Sequence, residues 1–428
     1  MKKMSRFGWV ILSALLACSC APDFKEKASE LKGLRVMAVK KDSPYVAPGQ
    51  TVKLTMLWHD GSDKSPRRIQ IAWIAACYDP ASDLYSLCFT DHSLDGLPIT
   101  SSALPLIARD AASSVSDAGS ADAALLAVAA SSGPAPSVAG ADGAVIVDAG
   151  TIADASATAD AGAPDAGPLP GSPTLSIPFT NQVFGSGAFP ATIGYGESFS
   201  FRMPSQIVSV RPAPQDSTIP AYGIAYVFFA LCAGEVRIEP DAAFPLACYD
   251  GTQRMGNDDF VAGYSAVYSY ANSSIMNSNP QIQPKLQIND KNAAFDCIGE
   301  NCSGLIPPSS IAAGHCSAAN TLPLCEDKKH CPHVKIRPLI DQSHPAEEDQ
   351  VFNISHSEKF GEQMWINYYA DRGEFAKDLR LVNDAVAGWS NEYEAEYIPT
   401  AKGTAYLWAV VHDNRGGAEW MRTSLCIK

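Results

Sequence analysis

The chain has 428 residues, 46% of them hydrophobic, and carries 32 basic against 46 acidic residues, for a net charge of −14. This length can build two or three domains, and the negative charge disfavours nucleic acid, whose phosphates it repels. Only 18% of residues are charged, and the abundance of Thr, Val, Tyr, Gly and Pro favours strands and turns.

The first 20 residues, MKKMSRFGWVILSALLACSC, have the pattern of a targeting segment. Lys2, Lys3 and Arg6 give it a positive start, and an apolar run covers residues 7–17. The run fits the core of a signal peptide and is too short to span a bilayer. We therefore expect residues 1–17 to be a signal peptide and residues 18–32 a tether.

The residues before Cys18, Leu15-Leu16-Ala17, resemble a bacterial lipobox. The resemblance implies cleavage before Cys18 and acylation of that cysteine with chains such as palmitate, which would hold the protein on a membrane. Ser19 resembles the sorting pattern of outer-membrane lipoproteins. Cys20 is a weaker second choice for the acylated residue, and an ordinary secretory signal is the alternative.

Three strands are predicted after the tether, because apolar residues alternate over 34–39 and 51–58 and a third apolar run covers 69–77. The segment APGQTVKLTML and the strand carrying Trp73 before Cys77 resemble bacterial immunoglobulin-like domains of surface lipoproteins. The resemblance implies a β-sandwich with Trp73 between its sheets. Because Cys77 lies on the Trp-bearing strand itself, the inter-sheet disulfide of antibody domains is not carried over.

Residues 101–172 break the pattern, since Ala, Ser, Asp, Gly and Pro dominate and no aromatic residue occurs. Such a segment buries too little apolar area to offset its ordering entropy, so we expect a disordered insertion. The recurring Asp-Ala-Gly tripeptides lack the regular spacing of calcium-binding repeats. Strand patterns resume over 197–203, 222–232 and 260–270. We therefore predict one sandwich over 33–276, interrupted by the insertion; two small domains joined by a linker are the alternative.

The C-terminal part, residues 277–428, is predicted to be a second sandwich that opens with a strand at 282–288 and contains a cysteine-rich loop at 296–332. Its further strands are predicted at 333–337, 363–370, 392–398, 404–412 and 419–427. The turn between the last two has the form V-x-D-x-x-G-G-x-x-W and resembles the closing hairpin of polycystic-kidney-disease-type domains. The resemblance implies that Gly416 and Gly417 accept positive φ and that Trp420 covers the sheet edge. The fold class is thus predicted as all-β, with two immunoglobulin-like sandwiches.

Ten cysteines remain when Cys18 and Cys20 are set aside, an even number that in an exported chain indicates disulfides. Two neighbouring pairs are expected to close short excursions between strands: Cys77 with Cys88, and Cys232 with Cys248. Cys331 is expected to pair with Cys426 across the edges of the second sandwich. The remaining four would then pair among themselves: Cys297, Cys302, Cys316 and Cys325.

Two segments of the sequence contain residues that could bind a metal ion, and each segment also has a simpler explanation. The loop at 249–259 is rich in Asp and Asn and could hold calcium, but a surface turn explains the same residues. His315-Cys316 and Cys331-Pro332-His333 offer zinc ligands, but no C-x-x-C pair occurs and an oxidising compartment favours disulfides. No metal or cofactor is therefore predicted.

Catalytic motifs are missing from the sequence: it has no G-x-S-x-G, H-E-x-x-H, Walker or dinucleotide-binding pattern. Several carboxylates near aromatic residues could line a carbohydrate cleft: Asp371, Glu374, Asp378 and Asp384, beside Trp365, Tyr368, Tyr369 and Trp389. We expect instead a non-catalytic outer-membrane lipoprotein that binds or scaffolds an envelope protein or a polysaccharide. The alternative is a carbohydrate-active or metal-dependent extracytoplasmic enzyme.

Overall fold

The fold is seen in a computed structural model with full side chains. The structure describes residues 27–80, 83–85, 88, 192–214, 219–239, 244, 246–302, 317–327, 330–331, 333–343, 346–355 and 359–428. The signal segment with Cys18 and the insertion predicted at 101–172 lie outside these residues. The described residues from Ser29 onward belong to one compact unit.

The described residues are almost entirely strands and the turns between them. The first group of strands is β1 (Leu34–Lys41), β2 (Tyr45–Val46), β3 (Thr51–Asp60), β4 (Gln70–Tyr78), β5 (Thr192–Tyr195), β6 (Ser198–Arg202), β7 (Tyr222–Cys232), β8 (Glu235–Ile238), β9 (Leu246–Asp250), β10 (Gln253–Arg254) and β11 (Phe260–Tyr270). The second group is β12 (Ile282–Ile288), β13 (Lys291–Ala293), β14 (Cys297–Ile298), β15 (Thr321–Leu322), β16 (Val334–Ile340), β17 (Met364–Ala370), β18 (Glu374–Lys377), β19 (Leu379–Asp384), β20 (Gly388–Trp389), β21 (Ala395–Ile398), β22 (Gly403–Asp413) and β23 (Ala418–Ile427).

Short helices interrupt these strands at α1 (Ile207–Val210) and α2 (Gln350–Ser355), and 3-10 turns lie at Gly299–Cys302 and Ala318–Asn320. No helix in the described part of the chain has the length and apolarity needed to cross a membrane.

Four large sheets form two sandwiches. Sheet I has the order β1-β3-β6, and sheet II has the order β2-β11-β7-β4-β5. Sheet III has the order β13-β12-β16-β21-β18, and sheet IV runs β14-β23-β22-β17-β19-β20, with β15 added beside β23. Sheets I and II enclose the first core, and sheets III and IV enclose the second.

The first sandwich uses strands from both sides of residues 101–172. β3 pairs with β6, and β4 pairs with both β5 and β7. Trp73 is fully buried between the sheets, stacked on Phe199 at 5.9 Å and tilted against Phe229 at 5.5 Å. The predicted position of Trp73 is therefore confirmed, and neither half of this sandwich has a complete core without the other.

β7 is apolar along its whole length because both faces of sheet II are covered. Its inner face packs on sheet I through Val227 and Phe229. Part of its outer face packs, through Ala230, on the small sheet made by β8, β9 and β10. Tyr226 and Phe228 face a further outer cluster.

Sheet I is also covered on both faces, and this joins the two sandwiches. Along β3, Leu54 and Met56 face the first core, whereas Leu57 faces sheet IV. A bulge between Val36 and Ala38 in β1 adds Met37 to the same surface. The opposing side chains from sheet IV are Trp408, Val410 and Trp420. The sandwiches thus meet face to face through an apolar layer.

His59 lies in this apolar layer and makes the stability of the folded protein sensitive to acid. Its ring centroid is 4.8 Å from that of Trp408. Burial lowers the pKa of His59 from 6.5 to about 4; Arg422 acts in the same direction, and Asp60 opposes it. Between pH 6.5 and 4 the unfolded chain therefore binds a proton that the folded chain does not, so stability is lost as the pH falls.

We expect His59→Gln to lose less stability than the wild type between pH 6.5 and 4, measured by urea unfolding at a series of pH values. His330→Gln is the control, because that side chain is 81% exposed, and it should follow the wild-type profile. Identical profiles for the wild type and His59→Gln would contradict the assignment.

Candidate functional site

The turn between β22 and β23 is organised by the carboxylate of Asp413, which is fully buried. Its Oδ1 accepts the backbone N–H groups of Arg415 and Gly417, each at 2.8 Å. Gly416 has φ +87°, as the resemblance implied, but Gly417 is required for a different reason: a Cβ there would collide with the Asp413 carboxylate. Trp420 also differs from its prediction, because it is buried between the sandwiches and does not cover a sheet edge.

Arg415 projects from this turn into a buried site and ties three segments together. Its side chain is 2% exposed. Its Nη2 lies 2.7 Å from both Glu347 Oε2 and Glu362 Oε2, and its Nη1 donates to the carbonyls of Met276 and Glu348. Met276 belongs to the linker between the sandwiches, so the guanidinium holds that linker against the second sandwich.

The charge in this cluster is not balanced. Three carboxylates, those of Glu347, Glu362 and Asp413, surround one guanidinium. Burial raises the pKa of Glu362 to about 7; Arg415 opposes this, whereas Asp413 and Glu347 reinforce it. The linker residue Asn277 offsets part of the excess, because its Nδ2 donates to Asp413 at 3.3 Å and to the Arg415 carbonyl at 3.1 Å.

Polar bridges link the two sandwiches beside this cluster. Asn279 donates to the carbonyl of Lys41 at 2.7 Å and accepts from the N–H of Ala418 at 3.0 Å, so it contacts both sandwiches. Lys40 pairs with Glu419 at 2.7 Å, and Lys53 pairs with Glu300 at 2.5 Å. The first of these ion pairs is mostly buried, and the second is exposed.

These bridges border a cleft of about 730 Å³, which we call the linker cleft. Its walls are the β1–β3 loop, the linker and the facing part of sheet IV. The residues that line it are Lys40, Asp42, Ser43, Tyr45, Val46, Ala47, Gln50, Tyr270, Asn272, Ser273, Ile275, Met276, Asn277, Ser278, Asn279, Gln281, Glu300 and Glu419. The volume is within the range, roughly 300–1,000 Å³, of pockets that hold small ligands.

The linker cleft is a polar surface whose charged groups are two ion pairs and the carboxylate of Asp42. The cations and anions that border it are engaged with each other, and Asp42 accepts the backbone N–H of Lys53. Within the described part of the chain, the hydroxyls of Ser273 and Ser278 have no hydrogen-bond partner. The cleft therefore offers hydrogen-bonding atoms with little net charge.

Four cysteine pairs lie at disulfide separation among the residues that the structure describes. Cys77 pairs with Cys88 and Cys232 with Cys248, at Cα–Cα distances of 5.6 and 5.4 Å, as the local spacing predicted. Cys297 pairs with Cys302 at 5.4 Å, one of the pairings left open within the group of four.

The predicted pairing of Cys331 with Cys426 is wrong, because Cys331 pairs with Cys325, at a Cα–Cα distance of 5.5 Å. The expectation that Cys325 bonds within the group of four is wrong for the same reason. Cys426 is also disulfide-bonded. Cys316 lies outside the described residues. Position near a sheet edge was thus a poor guide to pairing, since Cys325 and Cys331 meet within one short loop.

Removing the Cys232–Cys248 bridge should lower the free energy of unfolding by about 3 kcal/mol, because a closed loop of this length restricts the unfolded chain by that amount. The bridge ties the end of β7 to β9, and both cysteines are buried. We expect this loss for the Cys232→Ala/Cys248→Ala variant in chemical denaturation. A variant as stable as the wild type would show that the bridge does not restrict the unfolded chain.

The calcium candidate at 249–259 forms a hairpin, with Asp250 opposite Gln253. Asp259 lies apart from that turn, and its carboxylate is engaged by Lys64 at 3.0 Å and by Arg67. Asp258 contributes its carbonyl to the same arginine. These contacts give the Asp259 carboxylate structural partners.

The zinc candidate is changed by the disulfide, because a bridged Cys331 has no thiolate to offer. His333 Nδ1 lies 2.7 Å from Glu396 Oε2, and His315 is outside the described residues. Among the residues that the structure describes, no group of three or more His, Cys, Asp or Glu side chains is placed to hold a metal ion.

Two of the candidate catalytic carboxylates, Asp371 and Asp384, are not brought together. Asp371 directly follows β17, whereas Asp384 lies beyond the other end of that strand, so about 20 Å of strand separates them. Asp371 accepts the N–H of Tyr406 at 2.7 Å, and burial raises its pKa to about 6. Asp384 accepts two N–H groups of its own turn.

Three of the aromatic residues proposed beside these carboxylates lie on β17, but not on the same face of it. Tyr368 is buried in the second core, whereas Tyr369 lies on the opposite face of β17, next to the layer between the sandwiches. Trp365 stacks on His412 at 5.6 Å on that same outer face.

Sequence reasoning missed both the Arg415 cluster and the linker cleft. A signal for the cluster was present, since Asp413 and Arg415 are charged residues in a tight turn flanked by long apolar strands. The sequence carried no comparable signal for the cleft, because its walls come from segments that are far apart in the chain.

The class of protein defined by this fold is all-β, with two immunoglobulin-like sandwiches stacked face to face. No family model matches the chain, and no curated protein sequence matches it.

Among solved structures, the chain is similar to Escherichia coli alpha-2-macroglobulin activated by porcine elastase, with a TM-score of 0.17 and 8% identity over 95% of this chain and 22% of that one. For the native conformation of the same protein the TM-score is 0.18, with 8% identity over 92% and 17% of the two chains. The chain thus spans less than a quarter of the length of these structures, and a likeness at such TM-scores carries no argument about fold or function.

Proposed function

We propose that this chain is a lipid-anchored, non-catalytic protein of the bacterial outer membrane that binds an envelope component in the linker cleft. The tether is proposed from the lipobox-like residues before Cys18. The binding role is proposed from the structure, in which two sandwiches are joined into one frame around an open polar cleft.

The observation that carries this proposal is the number of independent contacts that hold the cleft walls in place. The buried Arg415 guanidinium fixes the linker, Asn279 bridges the two sandwiches, and the Lys40–Glu419 pair adds a third connection. A site whose walls are already ordered loses less conformational entropy when it binds, which favours affinity.

Two further features support the proposed compartment and the absence of catalysis. Four bridged cysteine pairs fit an oxidising environment outside the cytoplasm. The candidate catalytic carboxylates Asp371 and Asp384 are used to hold backbone groups, which supports a structural role for both.

The proposal can be tested in native membranes with a photo-crosslinking amino acid at position 278, in the cleft, and at position 343 as the control. Both serines are exposed, but Ser343 does not line the cleft. We expect an envelope component to be crosslinked from position 278 and not from position 343, and mass spectrometry to find an acylated Cys18 at the N-terminus.

Two results would contradict this function. Equal crosslinking from both positions, or none from position 278, would remove the binding role of the cleft. An unmodified N-terminus together with free thiols in protein from the native host would remove the anchor and the proposed compartment.

A further inference from the structure

We infer that the linker cleft takes a neutral, hydroxyl-rich ligand, a short segment of an uncharged glycan. This inference rests on the proposed binding function and specifies its ligand.

The first argument is electrostatic. Two ion pairs border the cleft, Lys40 with Glu419 and Lys53 with Glu300, and the remaining charged group is the Asp42 carboxylate, which accepts the backbone N–H of Lys53. An anionic ligand would have to break one of these pairs, and a cationic ligand would have only Asp42 as a counter-charge. The chain as a whole also carries a net charge of −14, which repels anionic ligands. An uncharged ligand meets neither cost.

The second argument concerns hydrogen bonding. Gln281 uses its Nε2 on the carbonyl of Asn279 and leaves its Oε1 as an acceptor, whereas Gln50 uses its Oε1 on the N–H of Ala47 and leaves its Nε2 as a donor. The hydroxyl of Ser273 can donate and accept. Each hydroxyl of a sugar is likewise a donor and an acceptor, so a glycan can pair with amide and hydroxyl atoms of both kinds.

The third argument is the presence of apolar surface beside these polar atoms. The half-buried ring of Tyr45 lies 5.0 Å from that of Tyr270, and both residues line the cleft. Met276, also in the lining, is 63% exposed. Aromatic residues present an apolar face with a polar tip, and the C–H faces of sugar rings match such a surface while their hydroxyls reach the amides.

An extended peptide fits the lining less well. Peptides are commonly recognised by addition to a free strand edge or by apolar grooves for alternate side chains. β2 at this edge of sheet II is two residues long, and amides and hydroxyls outnumber apolar side chains in the lining.

The test is calorimetric titration of the full-length, lipidated protein with three neutral hexasaccharides, β-1,4-linked glucose, mannose and N-acetylglucosamine, in a detergent without a sugar headgroup. At least one is expected to bind with Kd below about 1 mM. Ser273→Trp, which fills the cleft without removing a contact, is expected to weaken binding at least about tenfold, and Ser343→Trp is the matched control.

A second pair of variants covers the case in which Ser273→Trp fails to fold. Gln281→Ala should also weaken binding, whereas Gln253→Ala, an exposed glutamine outside the cleft, should not. The inference is overturned if none of the three hexasaccharides binds, or if the cleft variants bind as tightly as their controls.

The outcomes separate this inference from the function on which it rests. If no hexasaccharide binds but position 278 still crosslinks a protein of the envelope, the glycan assignment is wrong and the binding role remains. If neither binding nor crosslinking is seen, both are wrong.

Discussion

Replacing Arg415 with Met is expected to lower the free energy of unfolding by about 3–5 kcal/mol, because removing one partner of a buried ion pair leaves an uncompensated charge. Glu362 has 3% of its side chain exposed and Asp413 is fully buried, so water cannot solvate either carboxylate in the folded state. The carbonyls of Met276 and Glu348 would lose their donor as well. Urea unfolding followed by circular dichroism measures the loss.

Two comparisons make the Arg415 experiment specific. Arg237→Met removes an arginine whose pair with Glu235 is exposed on both sides, and the expected loss is below about 1 kcal/mol. Adding Glu362→Gln to Arg415→Met should recover part of the stability, because it removes one of the buried carboxylate charges that lost Arg415 as a partner. An Arg415→Met variant as stable as Arg237→Met would show that the cluster does not hold the linker.

Replacing Trp420 with Ala should have an effect of similar size, about 3–5 kcal/mol. Trp420 is fully buried in the layer between the sandwiches, and its indole Nε1 donates to the carbonyl of Gly299 at 2.6 Å. The substitution removes this bond and opens a cavity in the layer that joins sheets I and IV. We therefore also expect unfolding to separate into two transitions, one for each sandwich.

Calorimetry distinguishes this uncoupling from simple loss of stability. Trp73→Ala removes a side chain of the same size from the core of the first sandwich, and it should lower stability without separating the sandwiches. Trp365→Ala is a milder comparison, since Trp365 is only half-buried on the outer face of sheet IV. A single sharp transition for Trp420→Ala would show that the layer does not couple the sandwiches.

Strand positions followed from the sequence because side-chain alternation is a local property of the chain. The alternation of 51–58 predicted β3, and the apolar run of 222–232 predicted β7 with its bounds. One feature of the sequence also indicated that β3 is covered on both faces, because Met56, Leu57 and Trp58 are consecutive apolar residues. Such a run is expected when both faces of a strand are covered.

Contacts that depend on the path of the backbone in loops and turns could not be obtained in this way. The pairing of Cys325 with Cys331 depends on how one loop folds back, and the sequence allowed several pairings of the same cysteines. Gly417 was assigned to positive φ from the resemblance of the turn to a closing hairpin, whereas its actual constraint is the Asp413 carboxylate placed against it. Both cases required the positions of atoms that are set by tertiary packing.

The sequence by itself determined that this protein is all-β and where its longest strands lie, because period-two burial is encoded residue by residue. Only the tertiary structure decided that sheet I is shared between two apolar layers, that Arg415 fixes the linker, and that residues 42–50, 272–281 and 419 meet around one cleft. The physical reason is that these features depend on the relative placement of two sandwiches, to which segments far apart in the chain contribute together.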